Sequence, residues 1–200
     1  MKKFFLIIIL TVVSLNSSFA VTYNSNPKIF ITELIGDAIK ILSDKSINKE
    51  NKAKAIEKIA LANVDIKALG MYTLGDIRKN LDENTLDEYN KLFENYFLVS
   101  LTSRLTDYAS NKFEVISEEQ KSSSYTIVQS KITESLNQPE IKIDWRVYTK
   151  DPLKPLIRDL IVEGLSLART QREEFSSILG SNNNDIKILF VKLKKFASKK

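Results

Sequence analysis

Apolar residues in this chain change their spacing twice, and no other feature limits the fold as much. From Ile29 to about Ser110 they recur at the three-to-four-residue spacing of amphipathic helices. From Phe113 to Glu163 they alternate or run in short blocks rich in Thr, Ile and Val, as strands do. After Ser166 the helical spacing returns. Helices, then consecutive strands, then helices describe an α+β fold. The expected architecture is an antiparallel meander of about four strands, packed on one face by N-terminal and C-terminal helices.

Local signals set the boundaries. Asn26-Pro27 reads as an N-cap with proline at the first helical position, followed by Ile29, Phe30, Leu34, Ile35, Ala38, Ile41 and Leu42. Asn48 to Leu61 is a second helix. Asp65 caps a short turn through Ala68-Leu69-Gly70, and a bend is expected at Tyr72-Thr73-Leu74-Gly75, between two glycines. Thr85-Leu86-Asp87-Glu88 reads as a capping box that opens the longest helix, about Leu86 to Ser110. Tyr89, Phe93, Tyr96, Phe97 and Leu101 give that helix an apolar side wider than one neighbour needs. Strands are expected at Phe113 to Ile116, Tyr125 to Ile132, Ile141 to Tyr148 and Leu156 to Glu163, with Asn137-Gln138-Pro139 as the turn before the third. In that third strand Ile141, Ile143, Trp145 and Val147 alternate with polar residues, the period of a strand buried on one face. Ser166 caps a helix ending at Gly180, and Asp185 opens the last one.

The chain starts Met1-Lys2-Lys3, runs apolar from Phe4 to Val13, and reaches Ser18-Phe19-Ala20. A basic start, a short apolar core and a small-x-small exit make a secretory signal peptide, expected to be cleaved after Ala20. Residues 21–200 then form a single domain, exported to the periplasm. Without Lys2 and Lys3 the net charge of +5 falls to +3, spread evenly, which makes nucleic acid a poor partner. The chain has no cysteine, so its core must hold it without disulfides.

Gly164-Leu165-Ser166-Leu167-Ala168 has the look of a nucleophile elbow, but a triad needs a base, and the chain contains no histidine. Ser166 at a strand-to-helix junction reads as a cap. Asp144, Asp159 and Glu163 are the carboxylates available for acid–base chemistry; cross-strand pairing with Arg146 and Arg158 accounts for them more simply. The pairs Glu118-Glu119 and Glu173-Glu174 read as solvated charge rather than a metal site. No cofactor is expected. The remaining signal is the apolar surplus. Helix and strand either pack directly on each other or stand apart around an apolar ligand, and periodicity does not separate these. A small periplasmic enzyme and an interaction module with a filled core stay open as alternatives to a carrier.

Three segments carry a family resemblance. They are Tyr72-Thr73-Leu74-Gly75, the helix LDEYNKLFENYFLVSLTSRLTDY, and EGLSLARTQREEFSSIL with its Gly164, Ser166, Leu167, Arg172 and Phe175. With Tyr125 to Ser130 and Ile141 to Tyr148, they make the chain resemble the MlaC or toluene-tolerance auxiliary family. These are periplasmic phospholipid-binding components of the maintenance-of-lipid-asymmetry (Mla) pathway. One departure is Asp76-Ile77-Arg78-Lys79, where the family often has an aromatic residue. The resemblance implies a curved sheet and helices around an apolar lipid pocket, and no bond chemistry. It implies a phospholipid ligand passed between an outer-membrane lipoprotein/porin complex and an inner-membrane ABC transporter with an MCE-domain subunit. Leu69, Tyr72, Phe93, Phe97, Leu101, Ile127, Ile143, Trp145, Val147, Ile161 and Leu165 are the expected lipid-binding residues.

Overall fold

The computed structural model describes residues 23–105, 112–133 and 140–198. The expected signal peptide, the end of the longest helix beyond Leu105, and the turn Asn137-Gln138-Pro139 lie outside the described residues. Helix α1 (Pro27–Ser43) starts where Asn26 accepts from the Ile29 amide, and α2 (Lys49–Asn63) where Asn48 accepts from Asn51. Both starts match the sequence signals.

The next segment departs from expectation. Asp65 caps a nine-residue helix, α3 (Ile66–Leu74), where only a short turn was expected, and the helix takes in most of the segment expected to bend. Gly70 is there to let another element approach: a Cβ on it would sit 2.8 Å from the Phe93 ring. The break comes only at Gly75, whose φ of 68° is left-handed. A 3₁₀ turn, Gly75–Asn80, follows. Helix α4 (Glu83–Leu105) begins before Thr85, because Asp82 accepts from the Thr85 amide (2.9 Å) and hydroxyl (2.7 Å). Asp82 therefore caps this helix, in place of the expected box.

The strands are β1 (Lys112–Ser122), β2 (Tyr125–Thr133), β3 (Ile141–Tyr148), β4 (Leu156–Val162) and β5 (Leu165–Ser166). They pair in that order, all antiparallel, as a curved, unclosed sheet. The fifth strand was not expected. Glu163 (φ 50°) and Gly164 (φ 82°) form a two-residue hairpin turn with both residues left-handed, which returns the chain along β4. Helix α5 (Leu167–Gly180) follows, capped by Ser166, then α6 (Ile186–Ala197), capped by Asp185.

Two cores result, one on each side of the sheet's β4 edge. Phe30, Ile31, Leu34 and Ile35 of α1 pack on Val128, Val147 and Ile157 of the sheet. A second, helical core joins α3, α4, α5 and α6 through Leu69, Tyr89, Phe93, Phe175 and Leu189. Within it the fully buried Tyr89 donates to the Gly70 carbonyl (3.1 Å) and pairs with Thr73 (3.0 Å), and burial pushes its hydroxyl pKa well up. The chain crosses between the cores at Val64, which bridges to Ile157, and at Asp65, whose amide donates to the Ile157 carbonyl (2.9 Å). Helices therefore flank the sheet, where packing on one face was expected.

Candidate functional site

Register separates the sheet into an apolar and a polar face. Val147, Trp145 and Ile143 pair with Thr126, Val128 and Ser130 on one side and with Ile157, Leu160 and Val162 on the other. Paired residues share a face, so this face is nearly all apolar. Helix α1 covers one part of it, where Val147 is 0% exposed. Ile143, Trp145, Leu160 and Val162, together with Phe113, Ile132 and Ile141, are left half-buried. Trp145 turns its polar end inward: its indole N–H donates to the Ser130 hydroxyl (2.9 Å), which donates to the Ile143 carbonyl (2.9 Å). The indole is thereby fixed as an apolar plate, edge-on to Phe113.

The opposite face is polar and holds a cavity of about 350 Å³. Its sheet wall is Tyr125, Arg146, Arg158 and Asp159. Its helical wall includes Leu69, Met71 and Tyr72 of α3 and Ala168 of α5, with Arg78 at one side. Arg158 lies 3.4 Å over the centre of the Tyr148 ring, donates to the Tyr125 hydroxyl (3.0 Å), and meets Asp65 at 2.6 Å. Burial alone would lower its pKa, but the bonds to Tyr125 and Asp65 outweigh burial and raise it. Asp159, 4% exposed, accepts from the Ser166 hydroxyl (2.6 Å) and the Ala168 amide (3.0 Å), so its charge sits on the α5 N-terminus. Ser166 also accepts from the Arg169 amide (3.0 Å). Both groups serve the helix end. Glu163 accepts from the Lys142 amide and so braces the hairpin turn.

The structure divides the expected lipid-binding residues among several places. Ile143, Trp145 and Val147 come together on the apolar face. Ile127 pairs with Arg146 and Ile161 with Asp144, which puts both on the polar face. Leu69 and Tyr72 line the cavity. Phe93 and Phe97 pack in the helical core, away from the sheet. Leu101 is half-buried on α4, and Leu165 is 68% exposed on β5. The cause in β4 is a bulge: Arg146 pairs with Asp159 but Val147 with Ile157, so Arg158 is an extra residue that shifts the alternation. Leu160 and Val162 therefore share the face of Trp145 and Ile143, where plain alternation pointed to Ile161. Arg78, Arg146 and Arg158 come from separate elements with no shared spacing, so the sequence did not show that one cavity gathers them.

A family model for the MlaC protein matches residues 32–195. The chain belongs to the MlaC family. Among solved structures, a phospholipid-binding protein from Ralstonia solanacearum, in complex with a phospholipid, has a TM-score of 0.70 at 14% identity, over 84% of this chain and 95% of that one. At this identity the likeness establishes the fold. No curated protein matches the sequence.

The segments that resemble MlaC proteins meet in space. Gly75 ends α3 with its backbone against Arg172, since a Cβ on it would lie 3.4 Å from the guanidinium Nε. Arg172 also faces the Tyr72 ring at 5.2 Å. Phe175, one turn on, packs edge-on to Phe93. At the departure from the family pattern, Arg78 donates to the carbonyls of Met71 (3.1 Å) and Gly75 (2.7 Å) and so closes the end of α3.

Proposed function

We propose that this MlaC-family protein is a periplasmic phospholipid carrier. The observation that carries the reading is the half-buried apolar patch of Ile143, Trp145, Leu160 and Val162, which α1 leaves partly uncovered. Acyl chains lie against that patch, and the head group stays near water. Two chains of about 30 methylenes together gain about 24 kcal/mol over water, at about 0.8 kcal/mol per methylene. A bilayer offers nearly the same, so a carrier has to match the membrane rather than greatly exceed it. Generic apolar contacts suit that task and admit many head groups. Family membership and the phospholipid in the Ralstonia solanacearum structure support the same reading.

In this reading the protein passes lipid between an outer-membrane lipoprotein/porin complex and an inner-membrane MCE-domain ABC transporter. A signal peptide, cleaved after Ala20, directs it to the periplasm. No described helix is long and apolar enough to cross a membrane. It performs no bond chemistry, in keeping with Ser166 and Asp159 being engaged at the α5 N-terminus. Native mass spectrometry of the purified protein, followed by lipid extraction, tests the reading. Co-purified phospholipid is expected. A protein that stays lipid-free after exposure to phospholipid vesicles overturns it. That outcome favours an interaction module with a filled core, a reading that draws on the closed packing of Phe93 and Phe97 among helices.

A further inference from the structure

The cavity on the polar face is rich in hydrogen-bond donors and short of acceptors. Its lining includes three arginines, Arg78, Arg146 and Arg158, against one carboxylate, Asp159. Both oxygens of that carboxylate are taken by Ser166 and Ala168. Asp65, behind the wall, neutralises Arg158. Arg146 comes no nearer to Asp159 than 3.8 Å, and its side chain is 46% exposed. Its guanidinium donates no hydrogen bond to a described residue. Arg78 spends one nitrogen on two carbonyls and has no carboxylate within ion-pair distance among the described residues. The Tyr125 hydroxyl accepts from Arg158, which leaves its own proton to donate elsewhere.

We propose that this cavity binds a phosphate ester, with Arg146 and Arg78 on the phosphate oxygens and Tyr125 donating beside them. Guanidinium groups match phosphate oxygens in charge and in fork geometry. Arg78 has no carboxylate in ion-pair range among the described residues and Arg146 meets Asp159 only at 3.8 Å, so a phosphodiester supplies the negative charge this wall lacks. The cavity, at about 350 Å³, has room for a glycerol phosphate. It also lies across the sheet from the apolar patch. The site thus goes beyond the carrier reading and does not depend on it. A free phosphate ester and a lipid head group share the required chemistry.

Amide-resolved NMR titration of the purified, lipid-stripped protein tests this. The probes are sn-glycerol 3-phosphate, dihexanoyl phosphatidylglycerol below its micellar concentration, and glycerol as control. Saturable shifts at Tyr125, Arg146 and Ala168 with glycerol 3-phosphate, and none with glycerol, are expected for a free ester. Shifts there with the short-chain phospholipid alone identify a lipid head group as the source. For whichever probe binds, Arg146→Gln is expected to weaken binding about tenfold, and Arg146→Lys to restore part of it. The proposal is overturned if neither probe moves these amides, or if Arg146→Gln leaves affinity within about twofold. Phospholipid shifts confined to Ile143 and Trp145 leave the carrier standing and remove this site. Glycerol 3-phosphate in the cavity, with no phospholipid retained anywhere, does the reverse.

Discussion

Asp65 divides its carboxylate between a helix and the sheet: Oδ1 caps α3 at the Ala68 amide (3.1 Å), and Oδ2 holds Arg158 at 2.6 and 2.8 Å. One side chain thus fixes α3 to the bulge in β4. Asp65→Asn keeps a capping oxygen but removes the ion pair, and is expected to cost about 2 kcal/mol. Asp65→Ala loses both, with about 1 kcal/mol more for the cap. Urea denaturation of the two variants reads the difference; equal midpoints would show that the cap contributes nothing.

Gly70 and Phe93 set the distance between α3 and α4. Gly70→Ala is expected to destabilise by about 2 kcal/mol, because the new methyl overlaps the Phe93 ring. Adding Phe93→Leu should return part of that loss. A double-mutant cycle measures the coupling, and simple additivity would rule the contact out.

Gly36 and Gly164 separate space from backbone conformation. A Cβ meets nothing within 4 Å at either position. Gly36 lies within α1, so Gly36→Ala should stabilise by about 1 kcal/mol. Gly164 has a φ of 82°, so Gly164→Ala should destabilise by about 1–2 kcal/mol. Thermal melts check the opposite signs.

Val147 and Ile143 share a face but differ in cover. Val147→Glu places a charge in a fully enclosed position and is expected to prevent folding. Ile143→Glu, at a half-buried position, should fold yet retain less lipid. Circular dichroism and lipid extraction together check this. A stable, fully lipid-loaded Ile143→Glu protein would move the acyl chains off this face.

Ser166→Ala should cost about 1 kcal/mol through the lost α5 cap and leave lipid uptake per folded molecule unchanged. Uptake that falls with stability held constant would give the serine a role in ligand binding. Chemical denaturation and vesicle exchange supply the two readings.

The helices were legible because their caps are local. Asn26, Ser166 and Asp185 each announce a helix and each accept from an amide at its start, and Asn48 and Asp65 prove to do the same. The order of strands was legible from the change in apolar period. What periodicity did not reveal is phase. In β2, Ile127 and Val128 are both β-branched, while the buried face also carries Thr126 and Ser130, so composition does not say which of the two points in. In β4 the bulge at Arg158 moves inward-facing residues from odd to even numbers. The wide aromatic side of α4 announced many neighbours without naming them, and they proved to be helices. The Arg78, Arg146 and Arg158 cluster depends wholly on folding.

The meeting of Val64 and Asp65 with Ile157 has a consequence for the life of the chain among others like it. β5 occupies one end of the β4 edge, and this short bridge occupies the other. The far edge, β1, carries Glu118, Glu119 and Lys121, and Glu118 is itself bound to the α1 amide of Lys28 (2.8 Å). Neither border offers a long, uncharged row of amides on which a neighbouring molecule could add a strand. The sheet keeps an oily surface without becoming a template for filaments.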